Sequence, residues 1–107
     1  MGTYERNRGA SFEREIATFL SDRLGQVVKR KLGQARDAGD DIAVGPFRIE
    51  CKRRGRLQFY KWLEQCEAAT MNDAEQIPVV VARADAKAAV AILLLEDFVK
   101  LMRETLV

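Results

Sequence analysis

Two short runs in which apolar and charged residues alternate lie on either side of a Gly-Pro pair, and this pattern constrains the fold more than any other feature. The runs are residues 41–44 (DIAV) and 47–52 (FRIECK). Period-two alternation around a glycine-proline turn predicts an antiparallel β-hairpin. Because side chains alternate between the two faces of a strand, Glu50 and Lys52 are expected on one face, and Ile49 and Cys51 on the other, apolar face.

Pairing the apolar faces of this hairpin also places Asp41 beside Glu50. Two adjacent carboxylates repel each other unless a proton or a cation lies between them, and hard oxygen ligands suit Mg²⁺ or Mn²⁺. Lys52 could then orient a water molecule activated by the metal and stabilise charge on a phosphate. The alternative is an exposed Glu-Lys ion pair of little consequence, worth under about 1 kcal/mol.

The rest of the chain alternates helical and strand patterns. Apolar spacing predicts helices over residues 11–24, 58–72 and 96–105, with Ser11 as the first cap and Gly25 as the first stop. Strands are expected at residues 26–32, 77–84 and 89–95, and a loop at 33–39. The predicted order is αβββαββα, an α/β fold with a mixed central sheet flanked by helices. At 107 residues, a single domain over 1–107 is expected.

The chain contains no histidine, which excludes several enzyme classes. Ser/His/Asp and Cys/His nucleophile arrangements and imidazole-based nucleases are ruled out, so chemistry must use carboxylates, lysine or metal. Cys51 and Cys66 lack the spacing of a disulfide framework or zinc site and are expected to be buried thiols. The longest apolar run, residues 88–95, is too short to span a bilayer, so a cytoplasmic protein is expected.

Charge is distributed unevenly along the chain. Residues 1–61 contain 14 Lys and Arg against 8 Asp and Glu (+6), whereas residues 62–107 contain 4 against 8 (−4). This asymmetry suggests that the first part faces a polyanion, although an uneven solvated surface would look the same. The candidate phosphate contacts before and after the hairpin are Arg30, Lys31, Arg36, Arg53, Arg54, Arg56 and Lys61.

Three motifs, in order, resemble the PD-(D/E)xK nuclease superfamily: GASFEREIATFL, GDDIAV and FRIECKRR. The resemblance covers about residues 6–66 and is closest to archaeal-type Holliday junction resolvases and their phage relatives. It implies a restriction-endonuclease-like core and a site that uses Mg²⁺, with Mn²⁺ as a substitute. The implied roles are metal binding by Asp41 and Glu50, positioning of the water by Lys52, and completion of the site by Glu13, through water or a second metal.

The same resemblance implies that Arg14 and Arg30 contact the DNA backbone. Asp40 stands where the superfamily often has proline, so either Asp40 or Asp41 could be the ligand, and the DIAV match favours Asp41. Gln65 could reach the site from its helix, as in related nucleases. The alternatives for other residues are structural: Glu15 is expected to be solvated, and Tyr60 and Trp62 are expected to pack their helix.

The leading hypothesis is a Mg²⁺-dependent endodeoxyribonuclease of the Holliday junction resolvase type, acting in DNA recombination and repair. It would cut branched DNA, most simply a four-way junction, in the host cytoplasm if a phage encodes it. Paired incisions predict a homodimer, with residues 89–107 as the expected interface; the alternative is that these residues complete the core of the monomer. The alternatives are a nuclease of the same fold acting on flap, branched or single-stranded DNA, and a DNA-binding module without catalysis.

Overall fold

A computed structural model describes residues 3–31, 41–68, 70 and 75–106. Three helices and four strands follow one another along the chain. They are α1 (Thr3–Leu24), β1 (Ile42–Val44), β2 (Phe47–Arg53), α2 (Phe59–Ala68), β3 (Ile77–Arg83), β4 (Val90–Ile92) and α3 (Leu95–Leu106).

The four strands form one mixed sheet in the order β1-β2-β3-β4. β1 pairs with β2 and β3 with β4 in antiparallel orientation, while β2 and β3 run parallel. α2 connects the two parallel strands, as the crossover between parallel neighbours requires. The predicted α/β class, with a mixed sheet and helices around it, is therefore confirmed.

The strand predicted at residues 26–32 is wrong in its described part. Residues 26–31 contribute one isolated antiparallel bridge, between Arg30 and Ile42, beside which the Lys31 N–H donates to the Asp41 carbonyl at 2.7 Å. The order over the described residues is αββαββα. The physical reason is burial, because Val28 alone in this run is buried while Val27 faces solvent. One buried side chain stabilises little pairing.

The first helix begins at Thr3, well before the predicted cap at Ser11, which is an exposed residue inside it. A single glycine, Gly9, interrupts otherwise helix-compatible residues, and one glycine costs only about 1 kcal/mol in a helix. The predicted end is confirmed. Gly25 has a φ of 68° and its N–H donates to the Ser21 carbonyl at 3.0 Å, which is a C-terminal cap that favours glycine.

The sheet separates two apolar clusters. One, on the α1 side, contains Phe12 and Ile16 together with Ile49 and Cys51 of β2. The other, on the α2 side, contains Trp62, Leu63, Cys66, Val80 and Ala82. Because β2 is sandwiched between the two helices, its alternate residues, Glu50 and Lys52, point to the α2 side. Both cysteines are buried thiols, as predicted.

The last third of the chain has less strand and more helix than the pattern suggests. The strand predicted at residues 89–95 is only three residues long, and α3 begins one residue earlier than predicted, at Leu95. Over the described residues, no helix is long and apolar enough to cross a membrane.

Candidate active site

The β1–β2 hairpin is built on a two-residue turn. Val44 pairs with Phe47, so Gly45 and Pro46 form the loop, and Gly45 has a φ of 53°. A positive φ at the first loop position followed by a proline with fixed negative φ is typical of a type II′ turn, whose twist matches that of the flanking strands. The register that results pairs Ile42 with Ile49.

Asp41 directly precedes β1, and its hydrogen bonds place it beside residues 49–51 of β2. Asp41 is only 5% exposed. Its Oδ2 accepts the Cys51 N–H at 2.7 Å, and its own N–H donates to the Ile49 carbonyl at 2.7 Å. The carboxylate is therefore held to β2 by both main chain and side chain, in a position it can keep without substrate.

Glu50 and Lys52 form an ion pair beside Asp41. Lys52 Nζ lies 3.2 Å from Glu50 Oε1, and the two side chains are 17% and 14% exposed. Glu50 pairs with Val80 of β3 and Lys52 with Ala82 of β3, and both of these residues are fully buried. This pair is thus shielded and lies against apolar side chains, unlike an ordinary surface ion pair. Shielding strengthens electrostatic interactions, and such a pair can act on a phosphate far more strongly than one in water.

Glu13 of α1 is connected to the hairpin through Arg30. It is 4% exposed, and its Oε1 lies 3.4 Å from Nη1 of Arg30, the residue that bridges to Ile42. Glu13 is therefore linked to the strand next to Asp41 through Arg30. Among residues 3–31, 41–68, 70 and 75–106, no three Asp, Glu or Cys side chains are grouped to hold a metal ion. The metal roles of Asp41, Glu50 and Glu13 stay predictions.

Some of the predicted DNA-contacting residues make contacts within the protein, and others are exposed. Arg53 Nη1 pairs with Asp85 Oδ1 at 3.0 Å, and Arg54 Nη1 donates to the Arg53 carbonyl at 3.0 Å. Arg14, Arg56 and Lys61 are exposed. Lys31 is half-buried next to Asp41, and Arg36 lies outside the described residues.

An ion pair between α1 and β3 escaped the sequence prediction. Nη1 and Nη2 of Arg83 lie 2.6 and 3.1 Å from the two carboxylate oxygens of Glu15, and the guanidinium lies 5.2 Å from the Phe12 ring centre. Glu15, predicted to be merely solvated, is half exposed but held in a bidentate pair. Since 68 residues separate the partners, no local pattern could reveal the pair.

The two aromatic residues of α2 behave differently. Trp62 is buried, as predicted, but Tyr60 is 85% exposed, so the prediction that it packs its helix is wrong. Tyr60 lies in the first turn of α2, next to the exposed Lys61. Helical spacing explains the difference, because Trp62, Leu63 and Cys66 define the buried face and Tyr60 lies about 100° away from it. Gln65 is exposed on the same helix.

The sequence matches the family described as "Phage putative PDDEXK endonuclease" over residues 4–106. The chain belongs to this family. Membership confirms the superfamily that the three motifs resemble, and it indicates a nuclease, the class to which a shielded Asp, Glu and Lys set on one hairpin is suited. PD-(D/E)xK nucleases usually use divalent metal ions. No curated protein and no solved structure matches the chain.

Proposed function

We propose that this PD-(D/E)xK endonuclease is a metal-dependent enzyme that resolves four-way DNA junctions by phosphodiester hydrolysis. One observation carries the catalytic part. The buried Asp41 carboxylate is bound to the Cys51 N–H, and the residues on either side of Cys51, Glu50 and Lys52, form an ion pair of 3.2 Å. Two carboxylates and one ammonium, shielded from solvent, supply both a cation site and a positive group for a phosphate.

The donor set fits a hard divalent cation. Asp41 and Glu50 would hold Mg²⁺, with Mn²⁺ as a substitute, since carboxylate oxygens are the ligands these ions prefer. Glu13, buried and linked to the strand through Arg30, would complete the set through water or a second ion. A bound divalent ion supplies Lewis-acid stabilisation of the charge that develops on the phosphate.

The side chains of the hairpin have distinct roles in this reaction. Lys52 orients the attacking water and donates to a phosphate oxygen as negative charge develops there. Glu50 fixes the Lys52 ammonium, and the Cys51 N–H fixes the orientation of Asp41. The water oxygen bonds to phosphorus while the bond from phosphorus to the 3′-oxygen breaks, which leaves a 5′-phosphate.

DNA binding is assigned to the basic residues around the hairpin. The exposed Arg14, Arg56 and Lys61 are available to phosphates directly, whereas Arg53 must exchange its contact with Asp85. Phosphate contacts position a nucleic acid without reading its sequence, as selection for a DNA structure requires. Resolution of a junction needs two opposed incisions, so two copies of the chain are proposed to act together.

A second candidate substrate is single-stranded or flap DNA, and the exposure of Tyr60 favours it. An exposed aromatic ring beside a lysine is suited to stacking on an unpaired base, which is worth about 1–3 kcal/mol per base.

The test is cleavage of end-labelled four-way junction, flap, linear duplex and single-stranded DNA by the purified chain, with Mg²⁺ or with EDTA. We expect Mg²⁺-dependent, symmetrically paired cuts in the junction, and no cuts by Lys52→Ala. Cleavage of the flap or single strand alone would replace the junction with the second candidate. Binding of all four DNAs with no cleavage under any divalent ion would leave a DNA-binding module.

A further inference from the structure

The last helix has an apolar face that is partly exposed in the single chain. Leu95, Phe98, Met102 and Leu106 follow one another at intervals of three, four and four residues, which places them along one side of α3. They form the α3 stripe. Their exposed fractions run from 37% for Met102 to 82% for Leu106. An amphipathic helix normally turns such a stripe toward the core.

α3 instead contacts its own chain along a different side. Asp97 is its one buried residue among those described, and Leu101 packs at the edge of the α1-side cluster. Leu101 lies about 100° around the helix from Met102. When Leu101 faces the body of the protein, the α3 stripe therefore faces outward.

A second apolar surface lies between α1 and β4. Two adjoining pockets of about 380 and 320 Å³ share Leu20, Val81 and Ala91 and together form a groove. We call it the α1–β4 groove. Its lining includes Phe19, Leu20, Leu24, Val81, Ala91 and Leu93. The groove exists because α1 packs mainly on β2 and leaves the β3–β4 part of this sheet face uncovered.

We infer that two copies of the chain associate by reciprocal exchange, with the α3 stripe of each copy seated in the α1–β4 groove of the other. Within the described part of each chain lie one such stripe and one such groove, so a two-fold pair can cover both surfaces on each copy in a closed arrangement. This inference gives the interface of the two-copy arrangement proposed above, and it does not depend on the nuclease activity.

The exposed area is large enough for such a pair. The stripe and the half-exposed groove residues Phe19, Leu24 and Val90 together expose about 600–750 Å² if a fully exposed large side chain has about 150–200 Å². A standard interface covers about 800 Å² per partner, whereas the largest apolar patch on a monomer is about 300–600 Å². Polar atoms at the edges would supply the remainder.

The chemistry of the groove selects a second copy over DNA. Its one basic side chain, Arg83, is already paired with Glu15 through two contacts, and the rest of the lining is apolar. The exposed Arg23, whose guanidinium lies 4.6 Å from the Phe19 ring centre, places one positive charge at the edge of the groove, but the apolar lining itself offers a polyanion none. Of the proposed DNA contacts, Arg56 and Lys61 lie on the loop and helix that follow β2 and line neither the groove nor the α3 stripe.

The first test is the mass of the untagged chain by sedimentation equilibrium at micromolar concentration, without DNA or metal. We expect a dimer. Phe98→Glu combined with Met102→Glu should weaken it by at least about 100-fold, because apolar anchors at an interface dominate its affinity. Both residues are exposed in the single chain, so the fold should persist by circular dichroism. Arg103→Gln, with the same charge change as either substitution, should leave the dimer intact. A wild-type monomer overturns the inference.

The second test places the stripe in the groove. One chain carries Phe19→Cys and a differently tagged chain carries Met102→Cys, and the mixture is treated with a short bis-maleimide. Cross-links between the two tags support the exchange, whereas Met102→Cys chains that cross-link only to each other show helix-to-helix packing and refute it. Cleavage is measured separately. A monomer that still cuts DNA would refute the proposed interface and not the nuclease activity, and a dimer that cuts no DNA would refute the nuclease activity and not the interface.

Discussion

Two substitutions of Asp41 separate its role in catalysis from its role in the fold. Asp41 is buried and its Oδ2 accepts the Cys51 N–H at 2.7 Å. Asp41→Asn keeps an oxygen for this hydrogen bond and removes the negative charge. Asp41→Ala removes both. The two variants have the same net charge, so a difference in stability between them reports the polar contacts and packing of the side chain rather than its charge.

The expected magnitudes follow from this contact. Leaving the buried Cys51 N–H unpaired costs about 1–3 kcal/mol, so Asp41→Ala should be less stable than Asp41→Asn by that amount. Each kcal/mol corresponds to about 4–8 °C in the melting temperature of a domain of roughly this size. Cleavage should fall by about 100- to 1,000-fold or more in both variants, as when one positioned electrostatic group is lost from an active site.

The measurements are urea unfolding followed by circular dichroism, and single-turnover cleavage of a labelled junction with Mg²⁺. Junction affinity in EDTA provides the control, and it should change little in either variant. Two results would refute the reasoning. Equal stability of the two variants would mean that the Cys51 contact contributes nothing, and wild-type cleavage by Asp41→Asn would remove Asp41 from the site.

Three further outcomes are expected. Glu50→Gln and Lys52→Ala should each abolish cleavage while junction affinity stays within a few-fold, as gel-shift titration can show; full activity of Lys52→Ala at saturating Mg²⁺ would contradict its role. Arg56→Gln with Lys61→Gln should reduce the slope of log affinity against log salt by up to about 1.8, or 0.9 per lost phosphate contact, and an unchanged slope would put the DNA elsewhere. Tyr60→Ala should weaken binding to single-stranded DNA about 5- to 100-fold while Tyr60→Phe does not, and fluorescence anisotropy measures both.

The sequence was sufficient to predict the hairpin because its pattern is local. Alternation in residues 41–44 and 47–52 sets the faces, and the Gly-Pro turn sets the register that pairs Ile42 with Ile49. The buried face of α2 could likewise be predicted from helical periodicity through Trp62 and Cys66, and both are buried in the structure.

Other features depend on contacts between distant parts of the chain. The bidentate contact between Glu15 and Arg83 joins residues 68 positions apart, so no sequence pattern around either residue predicts it. Tyr60 resembles a packing residue by type, yet its angular position on α2 turns it outward. The segment at residues 26–31 has β-branched residues, but Val28 is its one buried residue. Packing therefore outweighed strand propensity in this segment.

The site and the core are specified by the same register, and this explains why a small chain can place ionisable groups in its central hairpin. If β1 slipped by one residue against β2, Ile42 would leave the α1-side cluster and Asp41 would enter it. That arrangement would move the buried Asp41 carboxylate from the Cys51 N–H into the apolar cluster and expose an isoleucine that is now fully buried. Both effects oppose the slip, since an unpaired buried charge is costly and the lost apolar burial of a large side chain is worth about 1.5–3 kcal/mol. The burial of Ile42 therefore positions Asp41, and the turn at Gly45 fixes the same alignment from the other end of the strand.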